Sequence, residues 1–209
     1  MYIPALFALF TDRTPMAGNA EQSNGRLYAQ PPFVPLKSAC AGSGNREPAV
    51  VVDVKGLNGR VFDDRIIKNA KVSGSDMWLM TRIRDLDDVL DGFMGNAEKL
   101  LVPYHTLKNA NILKDVIELS DCCIPVVFSN NGAAKCFRRT AELGEIIKET
   151  ASIGFPTTIV FDADNSISLD VWSHICDRHP GAVPFLGPGR DADVVKAIGF
   201  EDVIVASEV

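Results

Sequence analysis

The amino-acid sequence predicts an α/β fold, a (βα)8 barrel built from two similar halves, and three observations carry that expectation. From Ala49 onward, apolar runs of about five residues alternate with amphipathic stretches, the pattern of repeated βα units around a parallel sheet. The chain also echoes itself at a fixed offset: Arg84-Asp85 answers Arg190-Asp191, Asp87 answers Asp193 and Val89 answers Val195. Upstream of each echo, Val50-Val51-Val52-Asp53 and Ile159-Val160-Phe161-Asp162 are apolar runs that end in an acid where a strand would meet its loop.

Taken in order, Tyr2 to Phe10 is an apolar run that reads as a buried first strand. No basic segment precedes it, Pro4 interrupts it, and it is too short to span a bilayer. Residues 11–48 are rich in Gly, Pro, Ser, Asn and Ala without a sustained period, so they read as a long loop after strand one with at most a short helical piece. Strands follow near 49–53, 77–81, 99–103, 123–128, 157–161, 182–186 and 202–206. Helical periodicity covers Arg60 to Lys71, Leu86 to Met94, Asn109 to Leu119, Ala141 to Ser152, Ser168 to Asp177 and Ala192 to Ile198. Eight strands in two halves favour a closed TIM-like barrel over an open doubly wound sheet, with the eighth helix missing or truncated after Val209.

The 209 residues suit one domain, 1–209, with a real core. A net charge of −6 without clustered Lys and Arg argues against nucleic acid as a partner, and nothing points to a membrane. Five cysteines in no metal-binding or paired spacing suggest reduced thiols and a cytoplasmic protein. His174 and His179 flank a helix end with no third ligand, so no metal site and no cofactor is expected.

The order Ile3-Pro4-Ala5-Leu6, Pro35-Leu36-Lys37-Ser38, Val52-Asp53, Trp78 to Arg84, Phe161-Asp162-Ala163-Asp164, Gly187-Pro188-Gly189-Arg190 and Val205-Ala206-Ser207 resembles the histidine-biosynthesis isomerase family (HisA) and its cyclase sister (HisF). It is most similar to the divergent archaeal and methylotroph branch described as HisA-related. The resemblance implies a sugar-derived ligand with a phosphate at each end, each held by a glycine-rich turn. In this chain it places a phosphate at Gly187, Gly189, Arg190, Ala206 and Ser207, where backbone N–H groups can approach oxygens. The competing reading is a Gly-Pro-Gly turn that only starts a helix.

The other half departs from the family pattern. Thr81-Arg82 stand where paired glycines belong and Pro103-Tyr104-His105-Thr106 where Gly-Thr is expected, so a second anion site there would rest on Arg82 and His105. The family's two acid–base carboxylates fall on Phe7 and on Ser129-Asn130-Asn131, which carry no proton at neutral pH, so the standard isomerase reaction is not expected. The nearest substitutes are Asp53, Asp162 and Asp164 at strand ends, with Lys55 beside them. The alternative for Asp53 and Asp162 is that they cap the next helix or hold the neighbouring loop.

Two functions follow. One is an isomerase- or lyase-type enzyme acting on a phosphorylated small molecule, in coenzyme or one-carbon metabolism as the resemblance implies. The other is a catalytically degenerate barrel that binds a ligand or a protein.

Overall fold

Runs such as Ala49-Val50-Val51-Val52 have no polar face, and a strand of that kind is stable only with partners on both edges and cover on both faces. The computed structural model supplies both. It describes residues 1–23, 26–42, 48–59, 62–70, 76–136 and 139–209. In chain order the strands are β1 (Tyr2–Thr11), β2 (Thr14–Ser23), β3 (Arg26–Pro35), β4 (Ala49–Asp53), β5 (Met77–Met80), β6 (Lys99–Pro103), β7 (Cys123–Asn130), β8 (Ala133–Lys135), β9 (Thr140–Ala141), β10 (Thr158–Asp162), β11 (Ala182–Leu186) and β12 (Val203–Ala206).

Eight of these, β1, β4, β5, β6, β7, β10, β11 and β12, pair in parallel and in sequence order. The ring closes where β12 pairs β1 and β7 pairs β10. Helices stand between the barrel strands: α1 (Leu36–Gly42), α2 (Val54–Leu57), α3 (Arg65–Ala70), α4 (Leu86–Met94), α5 (Ile112–Leu119), α6 (Leu143–Ile153), α7 (Leu169–Arg178) and α8 (Ala192–Lys196). The α/β barrel expected from the sequence is present. The expected helix from Arg60 to Lys71 appears as α3, and both of its expected ends lie outside the described residues.

Strand alternation divides the core in two. Ile3, Phe7, Val50, Val52, Leu101, Val126, Phe161, Phe185 and Ile204 fill the barrel interior. Their neighbours Leu6, Val51, Leu100, Val127, Val160 and Leu186 point outward against Ile66, Val89, Leu113, Ile146, Trp172 and Val195 of the helices. Local chemistry sets the helix ends. Asp85 and Ser168 accept backbone N–H groups as N-caps of α4 and α7, and Gly154 closes α6 at φ +118°, a conformation that costs a glycine little.

The segment 11–48 is not the long loop its composition suggests. β1 outruns the barrel, turns at Asp12 and Arg13, both at positive φ, and pairs antiparallel with β2, which pairs with β3. β7 behaves likewise. It runs to Asn130, turns through Asn131 and Gly132, and returns as β8. Composition misled because β2 is made of small residues held by contact rather than by propensity. At Gly18 a Cβ would lie 2.7 Å from the Gln30 carbonyl and from the Phe33 ring, so the hairpin requires glycine there.

Candidate functional site at the barrel mouth

The carboxyl ends of the eight strands form one mouth, and two kinds of surface share it. One side is dry. Phe161 stacks on Phe185 at 4.1 Å between centroids, Phe128 meets Phe161 edge-on at 4.9 Å, and Phe7 packs against both Phe161 and Phe185. Phe7, fully buried, belongs to the rings that fill the centre of the barrel.

The other side is a polar cavity of about 320 Å³ between the β2–β3 hairpin and the ends of β5, β6 and β7. Gln22, Arg26 and Leu27 come from the hairpin, Asn58 from the end of α2, Arg82 and His105 from the loops after β5 and β6, Phe128 and Asn130 from β7, and Lys135 from β8. Leu27 reaches down into the barrel-interior cluster, and the Asn58 side-chain amide donates to the Leu27 carbonyl at 2.6 Å, so the hairpin is fastened over the mouth. Thr106 fixes the floor. Its hydroxyl oxygen accepts the Ile83 N–H and lies 2.8 Å from the Ile83 carbonyl and 2.9 Å from that of Pro103, locking the β5 and β6 loops together.

Among the described residues lining this cavity are Arg26, Arg82, Lys135 and His105, and no carboxylate. His105 packs edge-on against Phe128 at 4.4 Å, and its Nδ1 is sealed from solvent without a hydrogen-bond partner. Burial, with Lys135 adding a smaller repulsion, pushes its pKa down to about 3, so the imidazole is neutral at physiological pH. Burial and then the Arg26 charge lower the pKa of the Lys135 amine.

The sequence-derived candidates separate into two groups. Arg82 and His105 both line this cavity. The carboxylates do not. Asp53 N-caps α2, accepting the Gly56 N–H at 2.9 Å and the Thr81 hydroxyl at 2.9 Å. Burial raises its pKa, and those two hydrogen bonds work against the rise. Asp162 is completely buried and accepts the backbone N–H groups of Ser166 and Ile167, while Asp164 accepts those of Ser166 and Asn131. Burial, followed by the neighbouring Asp164, lifts Asp162 to about 6. Hydrogen bonds from Ser166 and Asn131 outweigh partial burial and hold Asp164 low. The Lys55 ammonium donates to the Phe10 carbonyl at 2.7 Å, bracing the β1 extension. These four residues hold loops, which is the second of the two readings the sequence left open for Asp53 and Asp162.

The turn 187–190 is also engaged within the chain. The Gly187 N–H donates to the Asp162 carbonyl at 3.0 Å and that of Ser207 to the Ala5 carbonyl at 2.9 Å. The Arg190 guanidinium donates to the Ile167 carbonyl at 3.0 Å. Asp191 caps α8, its carboxylate accepting the N–H groups of Asp193 and Val194, so a negative side chain occupies the place an anion would take. Gly187 has a packing reason of its own, because a Cβ there would lie 2.4 Å from the Ala163 carbonyl. Ala206 is a buried residue at the end of β12.

No protein-family model matches this chain, and no curated protein matches it significantly. Among the described residues no group of three or more His, Cys, Asp or Glu side chains is placed to hold a metal ion, and no helix is long and apolar enough to cross a membrane. Sequence reasoning missed Gln22, Arg26 and Lys135, all carried by hairpins. Asn-Gly pairs, the strongest short hairpin signal, stand in the sequence at Asn24-Gly25 between β2 and β3 and at Asn131-Gly132 between β7 and β8, and pointed to both hairpins.

Proposed function

We propose that this barrel binds a phosphorylated, sugar-derived small molecule in the mouth cavity beneath the β2–β3 hairpin, with Arg26, Arg82 and Lys135 supplying the charge. One observation carries the reading: a chain of net charge −6 gathers Arg26, Arg82 and Lys135 around one cavity whose described lining includes no carboxylate. A phosphate there gains charge-assisted hydrogen bonds, and Arg82 can offer a planar pair of donors. The resemblance to the HisA-related branch supplies the sugar part of the proposal and the link to coenzyme or one-carbon metabolism. The descent of the barrel from two similar halves belongs to the same proposal. It is supported by β1 and β7, which both run on into antiparallel hairpins, and by Asp53 and Asp162, which both cap the loop after their strands.

A catalytically degenerate barrel is the second reading. It is favoured by Phe7 and by the loop-holding roles of Asp53 and Asp162, which engage those carboxylates within the chain. The two readings share the ligand except where the degenerate barrel binds a protein instead, so one experiment tests the ligand site. Phosphate or ribose 5-phosphate at a hundred times its dissociation constant stabilises the fold by about 2.7 kcal/mol. For a chain of this size that is a rise in melting temperature of about 5–11 °C. Arg82→Ala removes one charge-assisted contact of about 1.5–3 kcal/mol and weakens binding by roughly tenfold or more. Gly189→Val leaves the shift in place, because the turn 187–190 is outside the cavity. A wild-type melting temperature unmoved by millimolar ligand ends the proposal. An Arg82→Ala shift equal to wild type with the Gly189→Val shift abolished moves the site to the turn.

A further inference from the structure

We propose that Lys135 forms an imine with the carbonyl carbon of an anionic aldehyde or ketone held in the mouth cavity, an inference that rests on the anion-binding reading above. The strand register carries it. Lys135 lies directly opposite Phe128 in the antiparallel β7–β8 pair, and directly opposed residues project from the same face. The Phe128 ring belongs to the barrel interior, so Lys135 is directed to the mouth, while its neighbour Ala134 is buried in the outer layer. Lys135 is half-buried and lines the cavity together with Arg26, Arg82 and His105.

That setting favours a nucleophilic amine. Burial and the adjacent Arg26 charge both disfavour the ammonium form, which raises the fraction of amine with a free lone pair. Arg82 holds the substrate's anionic group in the same cavity. His105 completes the arrangement as a neutral ring. Its sealed Nδ1 has no hydrogen-bond partner, and in the tautomer that carries the proton on Nε2 the ring can polarise a carbonyl oxygen.

In the step itself the Lys135 lone pair attacks the carbonyl carbon and a C–N bond forms. The carbonyl π pair moves to oxygen, which takes a proton from solvent while the nitrogen loses one to solvent. The resulting hydroxyl is protonated and leaves as water, the remaining nitrogen lone pair closes the C=N bond, and the iminium so formed returns its N–H proton to solvent. Amine and carbonyl become imine and water, with no oxidant or reductant needed.

The test is trapping with glyceraldehyde 3-phosphate and sodium cyanoborohydride, which delivers hydride to the imine and makes the adduct permanent, followed by peptide mass mapping. The expected result is one adduct per chain at Lys135, suppressed by inorganic phosphate and lost in Lys135→Arg, with exposed Lys114 labelled far more slowly. Absence of the Lys135 adduct, or labelling of Lys114 at the same rate, while phosphate still raises the melting temperature overturns the imine and leaves the anion site standing. Absence of both the adduct and the phosphate shift overturns both.

Discussion

Replacing Gly56 by alanine tests whether the buried Asp53 network is what holds the α2 side of the mouth in place. An added Cβ would lie 2.1 Å from Asp53 Oδ2 and 2.4 Å from Thr81 Oγ1, far inside contact distance. The backbone at Gly56 is fixed in a four-residue helix, so the Asp53 carboxylate must turn away. It then loses the 2.9 Å bonds from the Gly56 N–H and the Thr81 hydroxyl in a site only 2% exposed. Leaving a buried acceptor short of partners costs about 1–3 kcal/mol, and more for a charged one, so about 3 kcal/mol is the expected destabilisation. That corresponds to a fall in melting temperature of about 6–12 °C. A second signature follows from the sign of the Asp53 shift. Its folded-state pKa is already raised by burial, and the two lost hydrogen bonds are what opposed the rise. The variant therefore raises it further, and its destabilisation is larger at pH 8, where the group must ionise, than at pH 4. Calorimetry or circular-dichroism melts at the two pH values measure both effects. A Gly56→Ala melting temperature within about 2 °C of wild type at pH 8 would refute the reasoning.

Asp162 should titrate with a midpoint near 6 in carboxyl carbon NMR. Because that folded value lies above the unfolded 3.8, its contribution to stability is full below about 4 and is lost as the pH rises through about 6; a midpoint at or below 4 contradicts the burial argument. Phe161→Ala removes the ring stacked on Phe185 and edge-on to Phe128, and chemical denaturation should register a loss of about 3–5 kcal/mol. Leu27→Asp places a carboxylate in the interior cluster and should free the β2–β3 hairpin, so limited proteolysis cuts within 14–35 before the barrel unfolds; cleavage no faster than in wild type counts against the hairpin being pinned there. Expression in a histidine auxotroph lacking the isomerase should not restore growth, since Phe7 offers no proton where the resemblance puts an acid.

The barrel strands were legible because each is an apolar run with a forced boundary. β4, β6 and β11 match their expected spans, and β10 is shifted by one residue so that Asp162 closes it. The β1–β2 hairpin was not, because its information is tertiary, whereas Asn24-Gly25 offered a local signal for the hairpin of β2 and β3. Asp12-Arg13 is a poor pair for two positive-φ positions, and β2 owes its place to Phe33 lying over Gly18 and Leu27 reaching the interior. The hairpins decide the candidate site, since Arg26 and Lys135 ride on them. Arg82 and His105, at the ends of ordinary barrel strands, could be named in advance.

The turn 187–190 supports two local readings that compete for the same chemistry. Glycines before a helix suit an anion cradle because they leave N–H groups open and let oxygens approach. The next residue, Asp191, is also an N-cap signal, and an N-cap carboxylate claims the same N–H groups from within the chain. The two readings compete for one set of donors, and the intramolecular carboxylate is always present at high effective concentration. A dissolved phosphate would have to displace it and then sit beside its negative charge and that of Asp193. In the cavity beneath the β2–β3 hairpin the balance reverses: the described residues lining it include Arg26, Arg82 and Lys135 and no carboxylate, so there the local field favours an incoming anion.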